Sequence, residues 1–216
     1  MFNILDKIRR VVEGNLLSQE QWTKKWGCNE DFINSMKKDL GEIHPFRLFL
    51  GLVKPKSLVL AAGCGPGREV KFLTKEKKCD VIAVDISKKA IESSKKLAPK
   101  AKYYLADMVT FTSPKKAEYI TCIWNTINYL PNQKVRRKFI INAYKNLKPG
   151  GKLLITTNHM LQNLRFFTNA LAYPTKNYYY FPTQINKWFK GIPFSVARIN
   201  INETLYIIAT KLEKNG

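Results

Sequence analysis

Between residues 57 and 157, short apolar runs alternate with stretches of helical character, and nothing else in the sequence constrains the fold as much. The runs are Ser57-Leu-Val-Leu-Ala-Ala62, Val81-Ile-Ala-Val-Asp85, Lys102 to Ala106, Tyr119 to Trp124 and Lys152 to Thr157. The first two are apolar almost throughout rather than at alternate positions, as expected of strands buried on both faces. Between them lie segments that predict helices, over Glu69–Lys77, Lys88–Leu97 and Gln133–Leu147. Strands separated by helices require crossover connections, and crossovers give parallel pairing. Lys148-Pro-Gly-Gly151 reads as the turn into the fifth strand.

The flanks differ in style. Residues 1–53 read as helical. Ser18 and Gln21 form a capping-box pattern ahead of Trp22 and Trp26; Asp31 to Leu40 ends at Gly41, and Pro45 to Val53 stops before Lys54-Pro55. In the tail, residues 159–172 and Thr183–Lys190 read as helices around an aromatic loop, Tyr173 to Phe181. Phe194–Ile201 and Thr204–Leu212 read as a closing strand pair joined near Asn202. The division that follows is a helical N-terminal extension, 1–53, and an α/β domain, 54–216.

No apolar run approaches the roughly 18–20 residues that a spanning helix needs, so integral membrane association is not expected. Asp6, Lys7, Arg9 and Arg10 stand where a secretory signal would be apolar, which predicts a cytoplasmic protein. Cys28, Cys64, Cys79 and Cys122 form no CxxC and no cluster with histidine, so neither a zinc site nor a disulfide framework is indicated. The formal net charge of +21 is spread as +3, +7, +6 and +5 over residues 1–56, 57–116, 117–156 and 157–216. Of 37 basic residues only 8 are Arg, the side chain suited to bidentate phosphate contacts. An even excess of Lys attracts polyanions without defining a site for them.

The chemistry-bearing stretch is Val59-Leu-Ala-Ala-Gly63-Cys-Gly65-Pro-Gly67-Arg-Glu69, where the first strand turns into a helix. Glycines permit a sharp turn and close approach of a ligand, and the helix start offers unpaired N–H groups. The spacing is GxGxG, with Arg68 where a dinucleotide fingerprint would carry its third glycine, so a NAD site is disfavoured. Asp85 ends the second strand, where a carboxylate can accept both hydroxyls of a ribose or, alternatively, cap the next helix. Asp107 repeats the theme after the third strand, beside Met108, in a place suited to an adenine edge. Open α/β sheets bind ligands along this carboxyl edge.

The segment 57–156 resembles the core of the class I, Rossmann-like S-adenosylmethionine-dependent methyltransferases. The resemblance implies a three-layer sandwich with a mostly parallel seven-stranded sheet. The implied cofactor is S-adenosyl-L-methionine, with S-adenosyl-L-homocysteine as product. Its cofactor residues would be Ala62, Gly63, Cys64, Gly65, Gly67, Asp85, Ile86, Asp107, Met108 and Trp124. Two positions depart from the family pattern: Ala61 replaces an acid usual two residues before the first glycine, and Glu118 replaces an Asp before the fourth strand. The missing acid would ordinarily orient the loop and the amino group of the methionine moiety.

Methyl transfer is an in-line displacement in which the protein supplies proximity and alignment, so no acid–base pair is obligatory. His159, after the fifth strand, is the better placed of two histidines to act as a base, or else a surface residue. Asn125 orients an acceptor or caps a helix. Asn128, Tyr129, Tyr179, Trp22 and Trp26 are candidates for the acceptor side, the tryptophans as a lid or as plain packing. The absence of Asn-Pro-Pro-Tyr after the fourth strand and of room for an RNA-binding domain favours a small-molecule acceptor. RNA or another anionic macromolecule is the alternative drawn from the charge, and a non-catalytic cofactor-binding module is the alternative drawn from Ala61. Aminopropyl transfer is disfavoured because no acid stands among Trp124 to Asn128. The sequence leaves oligomeric state open.

Overall fold

The computed structural model describes residues 44–159, 179–180, 182–201 and 204–213. The expected helices around 18–40 and 159–172, most of the Tyr173–Phe181 loop, and Trp22 and Trp26 lie outside them. α1 spans His44–Gly51, close to the expected third N-terminal segment. β1 (Leu58–Ala62), α2 (Arg68–Lys75), β2 (Asp80–Asp85), α3 (Lys88–Leu97) and β3 (Lys102–Leu105) follow. Then come β4 (Ala117–Cys122), a 3₁₀ turn (Thr126–Tyr129), α4 (Gln133–Asn146) and β5 (Leu147–His159). β6 (Tyr179–Tyr180), α5 (Pro182–Phe189), β7 (Phe194–Ile201) and β8 (Thr204–Lys211) complete the described elements.

The sheet runs β3-β2-β1-β4-β5-β8-β7, with β6 added beside the end of β5. β1 through β5 pair in parallel, whereas β8 and β7 are antiparallel. Successive side chains of a strand point to opposite faces. Leu60, Ala62, Ile82, Val84, Ile120 and Cys122 accordingly enter one core layer. Val59, Ala61, Val81, Ala83, Tyr119 and Ile123 enter the other. The seven-stranded, mostly parallel α/β architecture is thus the one expected, with β6 as an eighth, two-residue strand.

Two expectations are corrected. Lys148-Pro-Gly-Gly151 is no free turn: β5 already begins at Leu147, which pairs with Ala117 across a register shift, and Gly150 takes φ +70° at that irregularity. The fourth strand ends at Cys122 rather than Trp124, because Trp124 and Asn125 both adopt φ +59°. Two consecutive non-glycine residues in the left-handed region break the strand sharply and cost free energy that the surroundings must supply.

The order of strands places β1 between β2 and β4, so the ends of all three meet at one edge. Arg136 in α4, wholly buried, fixes what lies there. It donates to the carbonyls of Ile127 (3.3 Å), Asn128 (3.4 Å) and Leu130 (2.6 Å), tying the 3₁₀ turn to the helix.

Candidate functional site

The glycine loop wraps the end of β2. The Gly63 and Cys64 N–H groups both donate to Val84 O, at 2.8 and 3.0 Å, and Gly67 N–H donates to Cys64 O at 3.1 Å. Gly67 (φ +98°) immediately precedes α2, and a Cβ there would lie 2.3 Å from Ser94 Oγ and 2.8 Å from Ser94 Cα. The glycine is what lets α2 and α3 approach. Gly65 (φ +50°) is different, because a Cβ there would meet nothing within 4 Å. The loop therefore has one packed side and one open side.

Asp85 is fastened to this loop. Its Oδ2 accepts from Gly65 N–H at 2.8 Å and its Oδ1 from Ser87 N–H at 2.9 Å. The alternative role as helix cap falls to Ser87, whose hydroxyl accepts from Ala90 N–H at 3.3 Å. Burial raises the Asp85 carboxyl above the usual carboxylate range, against hydrogen bonds from the Ser87, Gly65 and Ile86 backbone that lower it. A carboxylate has about four lone-pair sites, so two backbone donors leave capacity for hydroxyls. After β3, Asp107 Oδ1 accepts from Val109 N–H at 2.8 Å, and the Met108 sulfur lies 3.4 Å from the Cβ position of Gly63. Ala62, Gly63, Cys64, Gly65, Gly67, Asp85, Ile86, Asp107 and Met108 are thus gathered around adjacent ends of β1, β2 and β3.

Trp124 arrives from β4 and is gripped on both faces. The Phe46 ring from α1 stacks on it with centroids 3.9 Å apart and planes 9° off parallel, and the Arg68 guanidinium lies 4.3 Å from its centroid. Two groups that close to one centroid cannot share a face. Its Nε1 is buried without a hydrogen-bond partner among the described residues. Asn125 N–H donates to Thr156 Oγ1 at 3.3 Å, and the Asn125 side chain makes no bond capping the 3₁₀ turn. Asn128 is 3% exposed and its Oδ1 accepts from Thr157 Oγ1 at 2.6 Å, so it faces inward. Tyr129 is half-buried at the end of the turn. His159 ends β5, with Tyr180 of β6 paired beside it; the side chains of His159 and Tyr179 lie outside the described residues.

The sequence reading missed one group. Glu69, in the first turn of α2, is 2% exposed, and its Oε1 accepts from Thr121 Oγ1 at 2.9 Å. Burial pushes this carboxyl up to about 8, opposed by the Thr121 hydrogen bond and reinforced by Asp85. In the sequence it stands as an acid in the first turn of a helix, with nothing local to mark it as buried.

The donor set fits S-adenosylmethionine. An open loop flank at Gly65, a buried indole N–H without a partner, and carboxylates at the ends of β2 and β3 suit a ligand with hydroxyls, an amine and cationic groups. Among the described residues no group of three or more His, Cys, Asp and Glu could hold a metal, and no helix is long and apolar enough to cross a membrane. Cys64, Cys79 and Cys122 are free and buried.

Comparisons with known proteins bear on the fold. The fold is similar to that of the N-methyltransferase NodS from Bradyrhizobium japonicum WM9. The TM-score is 0.60 at 18% identity, over 80% of this chain and 96% of that one. It is also similar to human N-acetylserotonin methyltransferase in complex with SAM, with TM-score 0.70 at 16% identity over 97% of this chain and 65% of that one. A TehB-like SAM-dependent methyltransferase from Corynebacterium glutamicum ATCC 13032 gives TM-score 0.63 at 18% identity, over 89% and 97%. No curated protein matches the sequence. Strand order and glycine loop together define the class I methyltransferase architecture. More particularly, residues 59–151 match the sequence model of a family described as "Methyltransferase domain".

Proposed function

We propose that this protein methylates a small molecule at the carboxyl edge of β1, β2 and β4. The observation that carries the reading is the Asp85 carboxylate bound to the Gly65 N–H on the open side of the loop. S-adenosylmethionine would supply an activated methyl group on a sulfonium. Asp85 would hold the ribose hydroxyls, Asp107 and the Met108 backbone the adenine edge, and Ile86 the adenine face. Gly65 leaves open space for the chain between them, whereas Gly63 is packed against Thr126 and Met108. Because both faces of Trp124 are taken, its contribution is the buried Nε1 donor rather than stacking.

On the acceptor side, Asn125 and Tyr129 stand next to Trp124, with Asn128 behind them holding the turn to Thr157. His159, at the end of β5, and Tyr179, in the neighbouring β6, approach the same edge by backbone position. Residues 1–53 would form the acceptor-side extension of a catalytic domain at 54–216. α1 supports this division, since its Phe46 reaches the edge. Among the similar structures named above, one is described as an N-acetylserotonin methyltransferase, which supports a small-molecule acceptor.

Calorimetry with S-adenosylmethionine and S-adenosylhomocysteine tests the reading: saturable 1:1 binding is expected, and no detectable heat with either would overturn it. A panel of amine and hydroxyl acceptors, followed by labelled methyl incorporation, addresses the substrate. Steeply salt-dependent methylation of RNA would instead favour a polyanionic acceptor, as the charge of +21 allows.

A further inference from the structure

We propose that Glu69 is the carboxylate that holds the cationic amino group at the methionine end of the cofactor, taking over the place that Ala61 leaves empty. The inference rests on the methyltransferase reading above and adds a residue to it.

The argument begins with strand register. Ala61 of β1 pairs directly with Thr121 of β4, so the two side chains share one face of the sheet about 4.8 Å apart. Ala61 is fully buried and ends in a methyl group, so it brings no polar atom to that face. The Thr121 hydroxyl, fully buried, donates to Glu69 Oε1 at 2.9 Å. The Glu69 carboxylate thus lies on the same face of the sheet as the Ala61 side chain, over the neighbouring strand. It has reached the floor of the glycine loop from the helix above rather than from the strand below.

The electrostatic surroundings locate it further. Cys64 in the loop and Cys122 at the end of β4 both sense the Glu69 charge, and Glu69 in turn senses Asp85. Glu69 thus sits among the loop and the ends of β1, β2 and β4. No cation among the described residues forms an ion pair with it; the pairs there are Arg47–Glu76, Lys88–Glu92 and Lys148–Glu118. Burying a carboxyl without a cation is costly unless it stays protonated or a cation arrives. Among the described residues its side chain accepts from a neutral hydroxyl, which orients it without neutralising it. The cofactor brings the missing positive charge, as an ammonium beside the open flank of Gly65.

The decisive measurement is calorimetry on the full-length chain with two probes, S-adenosylhomocysteine and 5′-methylthioadenosine, which lacks the amino acid end. Glu69→Gln keeps the shape and an oxygen for Thr121 but removes the charge. It is expected to weaken S-adenosylhomocysteine at least tenfold and to leave methylthioadenosine within twofold. Equal loss for both probes would mean that Glu69 only shapes the loop, and no loss for either would mean that it faces nothing; both outcomes overturn the proposal while leaving the methyltransferase reading standing. Failure of the unmodified protein to bind either probe overturns that reading too. Melting curves provide a second measurement independent of cofactor. Glu69→Gln should melt no lower than the parent at pH 8, where the parent's buried carboxyl is half ionised.

Discussion

The end of β2 and the end of β4 serve one edge and are built by opposite means. At β2, backbone hydrogen bonds do most of the holding: Gly63, Cys64 and Gly65 donate to Val84 and Asp85, and Ser87 and Ala106 N–H also bond Asp85. At β4, the chain leaves the strand through two residues with φ +59°. That geometry is held by Phe46, Arg68, Thr156 and the buried Arg136, which come from four other parts of the sequence. The comparison teaches that one edge can be held in two ways. The end of β2 rests on backbone hydrogen bonds to a single loop, and the end of β4 on packing drawn from many parts of the chain.

The comparison breaks most visibly at Gly67. Alanine there meets Ser94 and must also hold φ +98°. Gly67→Ala should cost roughly 3 kcal/mol or more, seen as a large drop in urea midpoint; a loss below about 1 kcal/mol would mean that the loop is softer than its bonds suggest.

The next effect is on pH. Folding raises the Glu69 carboxyl from 4.5 to about 8 and also raises Asp85, in both cases through burial. An acid whose value rises on folding binds its proton more tightly in the native state. Its stabilisation is therefore complete below about 4.5 and disappears as pH climbs towards 8. The groups facing Glu69 are Asp85, Cys64 and Cys122, and burial keeps both thiols protonated through this range. The cofactor-free protein should accordingly lose on the order of 5 °C in Tm between pH 5 and 8, and Glu69→Gln should flatten most of that slope. An unchanged slope in the variant would place the titration elsewhere.

A smaller change sharpens the β2 side. Asp85→Ala removes the charge-assisted bonds expected to the ribose, so cofactor affinity should fall at least tenfold, about 1.4 kcal/mol, with the fold retained by circular dichroism. Unchanged affinity would move the sugar away from β2.

The smallest lies at β4. Phe46→Ala and Trp124→Ala should show a coupling near 1 kcal/mol in a double-mutant cycle of unfolding free energies. Additive losses would show that the stack contributes burial alone.

Legibility in the sequence follows the same divide. The glycine loop, Asp85, Asp107 and the strand–helix alternation show in residue type and local spacing, and they are readable, although Gly65 and Asp85 meet across 20 residues. Lys148-Pro-Gly-Gly151 misled because turn chemistry is local, whereas the pairing of Leu147 with Ala117 that draws it into β5 is not. Glu69 looked like an ordinary first-turn acid; only Thr121, 52 residues away, reveals it as a buried group. Phe46 gave no signal at all, since its partner is 78 residues downstream.

Cys64 lies inside the loop that would hold a methyl donor, and sulfur in its anionic form is the best natural acceptor for such a group. Burial, followed by the negative charges of Asp85 and Glu69, lifts its ionisation well above the ordinary thiol range. It therefore keeps its proton, directed 3.7 Å towards Gly65 O. On the proposed reading, burial and the same two carboxylates keep this thiol in the form least able to take the donor's methyl group.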